Sequence, residues 1–243
     1  WVVYKSTLYD MEEIRTAIGA KRSYLSAYLS KNTFARHLVR NKCEETANYL
    51  AFAKRCEPYV LEASPWGAPN TNLQAMDDLI RYGRQIFLTV ESHYIRLRYA
   101  YQLIRLAHYS RQYQLVLELY DYLMPKIDHD PSIIQYWIEG HYAGALQALG
   151  RNVDAAYYYA RVFQHCPSKR ESAFRSFKVK NDEEWNQLFL RCVDDKERTT
   201  LYAMRAQIRD SRALEEMQNI YALDPRSDYL ETMIVAEVKK IEK

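Results

Sequence analysis

The sequence predicts an all-α protein built of stacked helical hairpins, on three observations. Glycine and proline number 6 and 7 in 243 residues, about half their usual usage. The turn-rich composition of a β-sandwich and the bias of collagen-like or disordered chains are therefore both missing. Apolar residues make up 48% and charged residues 27%, enough for a sizeable core under an ordinary water-facing surface. At this length one large domain or two tightly packed ones are expected. Third, one helical pattern recurs, with a small or apolar residue followed by apolar residues at +4 and +7 and a proline at +12. It reads Ala155, Tyr159, Val162, Pro167, then Ala213, Met217, Ile220, Pro225, and again Thr46, Leu50, Ala53, Pro58. Offsets 0, 4 and 7 lie on one helical face, and the proline closes the connection. A weaker copy is Val116, Tyr120, Leu123, with Asp128 in the proline position. No uncharged apolar run approaches the ~18 residues of a bilayer-crossing helix.

Taken in order, helical signals cover 10–18, 22–40 and 43–56, which make an N-terminal helical region, 1–58. Residues 59–72 read as a linker loop through Pro65, Gly67 and Pro69, following Pro58, because they combine turn chemistry with no helical period. Trp66 either packs this loop down or is exposed on it. The array then fills 73–243, with helices expected at 73–91, 93–110, 113–124, 131–149 and 153–165. Asp130 suits the cap of the helix that Pro131 opens. Gly150 falls where a helix end takes a left-handed residue. Pro167 and Pro225 are 58 residues apart, one hairpin plus a surplus, and that surplus carries its own start signals. Ser168 to Glu171 and Asp194 to Glu197 have capping-box spacing, and Asp182, Glu183 and Glu184 suit a helix N-terminus. Helices are expected there at 169–177, 182–192 and 196–208, then at 211–222 and 227–242. The last is read as the first half of an uncompleted hairpin or as a cap.

Residues 133–167 resemble the tetratricopeptide repeat, a helix–turn–helix unit of about 34 residues. The match rests on Leu149-Gly150, Ala155 and Pro167. Tyr142, Ala143 and Leu146 occupy first-helix positions where the family prefers Leu, Gly and Tyr. Glu139 falls where the family has a large aromatic, with Trp137 two residues away. The resemblance implies a solenoid of TPR-like hairpins with an extra helical insertion, whose first helices line a concave surface. The phrases Ala53-Lys54-Arg55-Cys56-Glu57-Pro58, Cys166-Pro167-Ser168-Lys169-Arg170 and Asp182-Glu183-Glu184-Trp185 are similar to segments of Tyr-rich TPR proteins of Bacteroidetes. That likeness implies a cell-envelope or extracellular location.

Catalytic and metal chemistry find little support. The cysteines, Cys43, Cys56, Cys166 and Cys192, form no CxxC and no Cys/His set at zinc spacing, so buried free thiols are expected. Cys43 and Cys56 are too far apart along one helix to bridge. Asp128-His129-Asp130 reads as a capping loop, and the other histidines are scattered. Neighbouring carboxylates such as Glu12/Glu13 and Glu215/Glu216 sit mostly near helix starts and do not converge across a cleft. No GxSxG, P-loop or GxGxxG occurs. Neither a catalytic function, nor a cofactor, nor a metal is expected. Net charge is +3, unlike a dedicated nucleic-acid binder. Lys169, Arg170, Arg175, Lys178 and Lys180 with Phe174 and Phe177 read as a connector. Residues 1–60 hold ten Lys/Arg against six Asp/Glu, and 181–243 hold ten against fourteen, a mild polarity that favours partner contacts.

The richest helix is 93–110. Arg98, Gln102, Arg105 and Tyr109 follow i, i+4, i+7, i+11 spacing, flanked by Tyr101 and His108, while Leu97, Ala100, Leu103, Ile104 and Ala107 pack. With Trp137 and His141 these residues are expected to line a groove for a protein or peptide partner, acidic in character because Arg pairs bidentately with carboxylates. The expected function is therefore a non-catalytic protein–protein interaction or scaffold module. The alternative is a cell-surface glycan-binding helical protein using exposed Trp and Tyr, with Trp66 foremost.

Overall fold

The computed structural model describes residues 6–20, 25–60, 72–127, 132–208 and 213–242. Among these, all regular structure is helical: thirteen α-helices and three short 3-10 turns. The expected linker, Trp66, Asp128-His129-Asp130 and Pro131 lie outside the described residues, apart from the linker's ends at 59–60 and 72. The chain divides into two compact units, 1–134 and 135–243.

The first unit holds α1 (Leu8–Gly19), α2 (Thr33–Arg40), α3 (Glu44–Val60), α4 (Leu73–Thr89), α5 (His93–Tyr109) and α6 (Tyr113–Leu123). Thr7 and Asp10 close a capping box on α1, with Thr7 N–H donating to Asp10 Oδ2 at 2.7 Å. Helix α3 packs on α1, α4 and α5, so the helices on both sides of 61–71 share one interior. Met11, Ile14, Leu29, Leu38 and Ala51 form its N-terminal cluster. Farther on, Phe52 of α3 meets Tyr99 of α5 at 5.1 Å between ring centres. Gly83 lets α4 approach both, since a Cβ there would lie 2.6 Å from Phe52 Cζ and 2.7 Å from Leu103 Cδ2.

The second unit follows with α7 (Ile134–Ala148), α8 (Asn152–His165), α9 (Arg170–Ser176), α10 (Asp182–Leu190), α11 (Asp195–Ala206), α12 (Ala213–Leu223) and α13 (Asp228–Ile241). Helix α8 is its hub, packing on α9, α10 and α11, while α11 and α12 pair closely and α13 packs on both. Ala155, Tyr159 and Val162 are buried as their spacing predicts, as are Ala213 and Ile220. In α3 the buried set is Ala47, Ala51, Phe52, Lys54, Cys56 and Val60, and Thr46, Leu50 and Ala53 are half-buried.

Three differences from the sequence reading have local causes. The helix expected over 22–40 begins at Thr33, because Asn32 is extended and its side chain accepts from Phe34 and Ala35 N–H, restarting the chain as a new N-cap. Pro58 does not end its helix. It lies inside α3, near the C-terminal end at Val60, where the lost N–H breaks only one bond of the last turns. Ser168 forms no capping box, since it sits in the 3-10 turn Pro167–Lys169 and α9 starts without a side-chain cap. Asp194 does cap α11, accepting from Glu197 N–H at 2.9 Å.

One turn recurs at three places. Lys42, Arg111 and Gly150 all have positive φ, at 50°, 60° and 80°. In each case the residue's N–H bonds the carbonyl three back, and the next N–H bonds the carbonyl five back: Lys42 to Val39 and Cys43 to Leu38, Arg111 to His108 and Gln112 to Ala107, Gly150 to Gln147 and Arg151 to Leu146. This paired closure satisfies the orphan carbonyls at the helix end. It launches α3, α6 and α8 two residues later.

Candidate interaction surface

The face that α5 leaves open is set by its own period. Leu97, Tyr99, Ala100, Leu103, Ile104, Leu106 and Ala107 are buried. Tyr94 and Tyr109 are exposed, and Arg98, Tyr101, Arg105 and His108 between them are half-buried. These six form one stripe. Gln102 is not on it. Three residues before Arg105 it turns about 60° away at 3.6 residues per turn, into the seam with α3. There it is 7% exposed and its amide donates to the Tyr49 hydroxyl at 3.4 Å. Tyr94, which the sequence reading omitted, takes its place at the N-terminal end.

Arginine and tyrosine hold each other on this stripe. The Arg98 guanidinium lies 3.4 Å from the Tyr94 ring centre and donates to the Tyr94 carbonyl at 2.9 Å. Arg105 sits between Tyr101 and Tyr109, 5.7 Å from each ring centre, and donates to the Val60 carbonyl at 2.9 Å. Such stacking fixes a guanidinium plane and leaves the outward N–H edge for an acceptor. Burial raises the Tyr101 pKa against the opposing charge of Arg105, so the phenol stays neutral. The His108 ring meets Tyr113 edge-on at 5.7 Å.

Among the described residues neither Arg98 nor Arg105 pairs with a carboxylate. Of the other ring-stacked arginines, Arg84 over Tyr122 and Arg170 over Phe163 likewise have no carboxylate partner among the described residues, while Arg55, Arg161, Arg198 and Arg205 do. Arg55 lies over Tyr82 and pairs with Glu12 at 2.5 Å. Arg198 lies over Phe189 and pairs with Asp195. Arg205 lies 3.7 Å from the Trp185 ring centre and grips Glu216 through two bonds of 2.5 and 3.0 Å. In those last places stacking and ion pairing complete each other, whereas Arg98 and Arg105 combine stacking with a bond to a backbone carbonyl, as Arg170 does with Phe163.

Trp137 and His141 belong to α7 in the second unit. Both are half-buried, and the indole nitrogen of Trp137 is enclosed. Their neighbourhood holds a network that sequence reasoning missed. Arg161 of α8 grips Glu139 of α7 bidentately, at 3.1 and 3.0 Å, and reaches Glu197 of α11 at 3.0 Å. The Tyr157 hydroxyl donates to the same Glu197 carboxylate at 3.1 Å. Glu139 and Glu197 are 5% and 6% exposed. Burial raises the Glu139 pKa, with Arg161 opposing and Glu197 adding repulsion. Burial and the Glu197 charge push the Tyr157 phenol up to about 12. One cation thus serves two buried carboxylates and ties three helices together, which is a structural role. The available signal was Glu139 itself, a carboxylate in an aromatic slot.

All four cysteines are free, with Cys56, Cys166 and Cys192 buried. Among the described residues no group of three or more His, Cys, Asp or Glu is arranged to hold a metal ion, and no helix is long and apolar enough to cross a membrane. Comparison of the chain with protein-family models, with curated proteins and with solved structures returns no match in any of the three.

Proposed function

We propose that this chain is a non-catalytic protein–protein interaction module, a scaffold whose α5 stripe receives an acidic partner. The observation that carries the reading is the pair of tyrosine-stacked arginines, Arg98 and Arg105, which pair with no carboxylate among the described residues. Arginine and tyrosine are favoured anchors at protein interfaces, and a fixed guanidinium gives up little side-chain entropy on binding. Within this reading the fold is a TPR-like solenoid of helical hairpins with an extra helical insertion between Pro167 and the hairpin of α11 and α12. The recurrent positive-φ turn before α3, α6 and α8 supports that arrangement, as does burial of Tyr142, Ala143 and Leu146 at the first-helix positions. A location in the cell envelope or outside the cell is part of the same proposal and rests on the likeness to Tyr-rich TPR proteins alone. The glycan-binding alternative draws on exposed Trp and Tyr: Trp66 is outside the described residues, while Tyr9, Tyr28 and Tyr221 are exposed. Of the described tryptophans, Trp185 is buried and Trp137 half-buried.

Affinity purification of the intact protein from its native cells, with mass spectrometry of what accompanies it, tests the proposal. A stoichiometric protein partner is expected on the wild type and should be lost from Arg98→Ala/Arg105→Ala. A partnerless preparation contradicts the scaffold, and equal retention by the double variant moves the interaction away from α5.

A further inference from the structure

Three cations of the second unit line one cavity, and none of them is ion-paired. The cavity measures about 380 Å³ and is lined by residues of α8, α9, α11 and α13 and of the loop before α13. Arg170 opens α9, Lys196 lies in the first turn of α11, and Arg226 lies in that loop. All three are exposed, and none pairs with a carboxylate among the described residues. Arg161 of α8 and Arg198 and Arg205 of α11, in the same unit, each hold one. Two carboxylates share the lining, and each has a local role. Asp224 accepts from the Arg226 N–H at 3.0 Å and closes the turn. Asp228 sits in the first turn of α13, where the helix dipole favours an acid. The cationic side of the cavity has no such answer. Arg170 donates through Nε to the Phe163 carbonyl at 3.0 Å and lies 5.3 Å from the Phe163 ring centre, which orders the guanidinium and leaves its other N–H groups for an acceptor. The need of this lining is therefore for an anion. One carboxylate brings a single charge to three cations, whereas a phosphate monoester brings about −1.5 to −2 and three acceptor oxygens. The volume falls within the roughly 300–1,000 Å³ of small-molecule sites.

We propose that this cavity binds the phosphate group of a small phosphorylated molecule, through Arg170, Lys196 and Arg226. The site is separate from the α5 stripe and does not depend on it. The test is isothermal titration calorimetry on the intact chain with four probes: glycerol 1-phosphate, glycerol, acetate, and a phosphoserine peptide with blocked termini. Glycerol 1-phosphate is expected to bind at least tenfold tighter than acetate, and glycerol not at all. Lys196→Ala and Arg226→Ala should each weaken glycerol 1-phosphate at least tenfold, because each removes a charge-assisted contact to the phosphate. Both side chains are exposed, so these variants are expected to keep the fold. Lys178→Ala removes an exposed lysine outside the lining and should leave the affinity unchanged. No binding of glycerol 1-phosphate, or binding indifferent to Lys196→Ala and Arg226→Ala, overturns the site. An equal loss on Lys178→Ala overturns it too, since diffuse surface charge then accounts for the binding. Acetate binding as tightly as glycerol 1-phosphate overturns the assignment to phosphate, and tighter binding of the phosphoserine peptide overturns the assignment to a small molecule.

Discussion

At Arg161 one guanidinium compensates two buried carboxylates, and substitutions on the two sides of that network should behave unequally. Arg161→Met leaves Glu139 and Glu197 buried without a cation, a change that costs roughly 3–5 kcal/mol in comparable networks. Glu139→Gln leaves a one-to-one pair between Arg161 and Glu197 and is expected to alter stability at neutral pH by about 1 kcal/mol or less. The pH dependence should differ as well. The folded-state pKa of Glu139 lies above its ordinary value of 4.5, so the folded chain holds that proton more tightly than the unfolded chain does. Its contribution to stability grows as pH falls through the raised value and is complete below the unfolded one. Urea denaturation of the wild type and of Glu139→Gln across pH 7 to 4 should show that gain only in the wild type. The sequence exposed half of this site. Glu139 stood out as a carboxylate in an aromatic slot. Its relation to Glu197 was hidden, because the two are 58 positions apart and no helical spacing links them.

At the scale of elements, the turn before α8 depends on a residue that accepts positive φ. Gly150 sits at φ 80°, and a Cβ there would meet nothing within 4 Å. The cost of Gly150→Ala is then the backbone term alone, about 1 kcal/mol. Arg111→Gly, in the equivalent turn before α6, should shift stability the other way by a smaller amount, since glycine also frees the unfolded chain. Thermal melts of both variants check the pair, with opposite shifts in Tm expected. Most helices were legible because period and end signals agreed: Asp194 accepts from Glu197 N–H, Asp182, Glu183 and Glu184 lie in the first turn of α10, and Gly150 takes the left-handed turn. The sequence reading failed where a single side chain overrode the period, as at Asn32, or where a proline was given more weight than helix packing, as at Pro58. The α5 stripe was legible in outline. The error at Gln102 came from centring the open face one residue toward the α3 seam.

For the whole molecule, the all-α class followed from scarce glycine and proline and from the recurring 0, 4, 7 spacing. The division near residue 134 did not, because it depends on which helices share an interior, and that is set by long-range packing such as Tyr99 against Phe52. The proposed function rests on a contrast among ring-stacked arginines. Arg205, ring-stacked and paired with buried Glu216, holds α11 to α12. Arg98, ring-stacked and unpaired with any described carboxylate, is the side chain proposed to meet a partner. The measurement that bears most directly on this contrast is the stability of Arg98→Ala beside Arg205→Ala by chemical denaturation of the intact chain. The account predicts a change of about 0.5 kcal/mol or less for Arg98→Ala, as for a surface position. It predicts roughly 3–5 kcal/mol lost for Arg205→Ala, which strands Glu216 in the interior. A loss at Arg98 as large as that at Arg205 would make Arg98 a structural residue and would contradict the recognition surface.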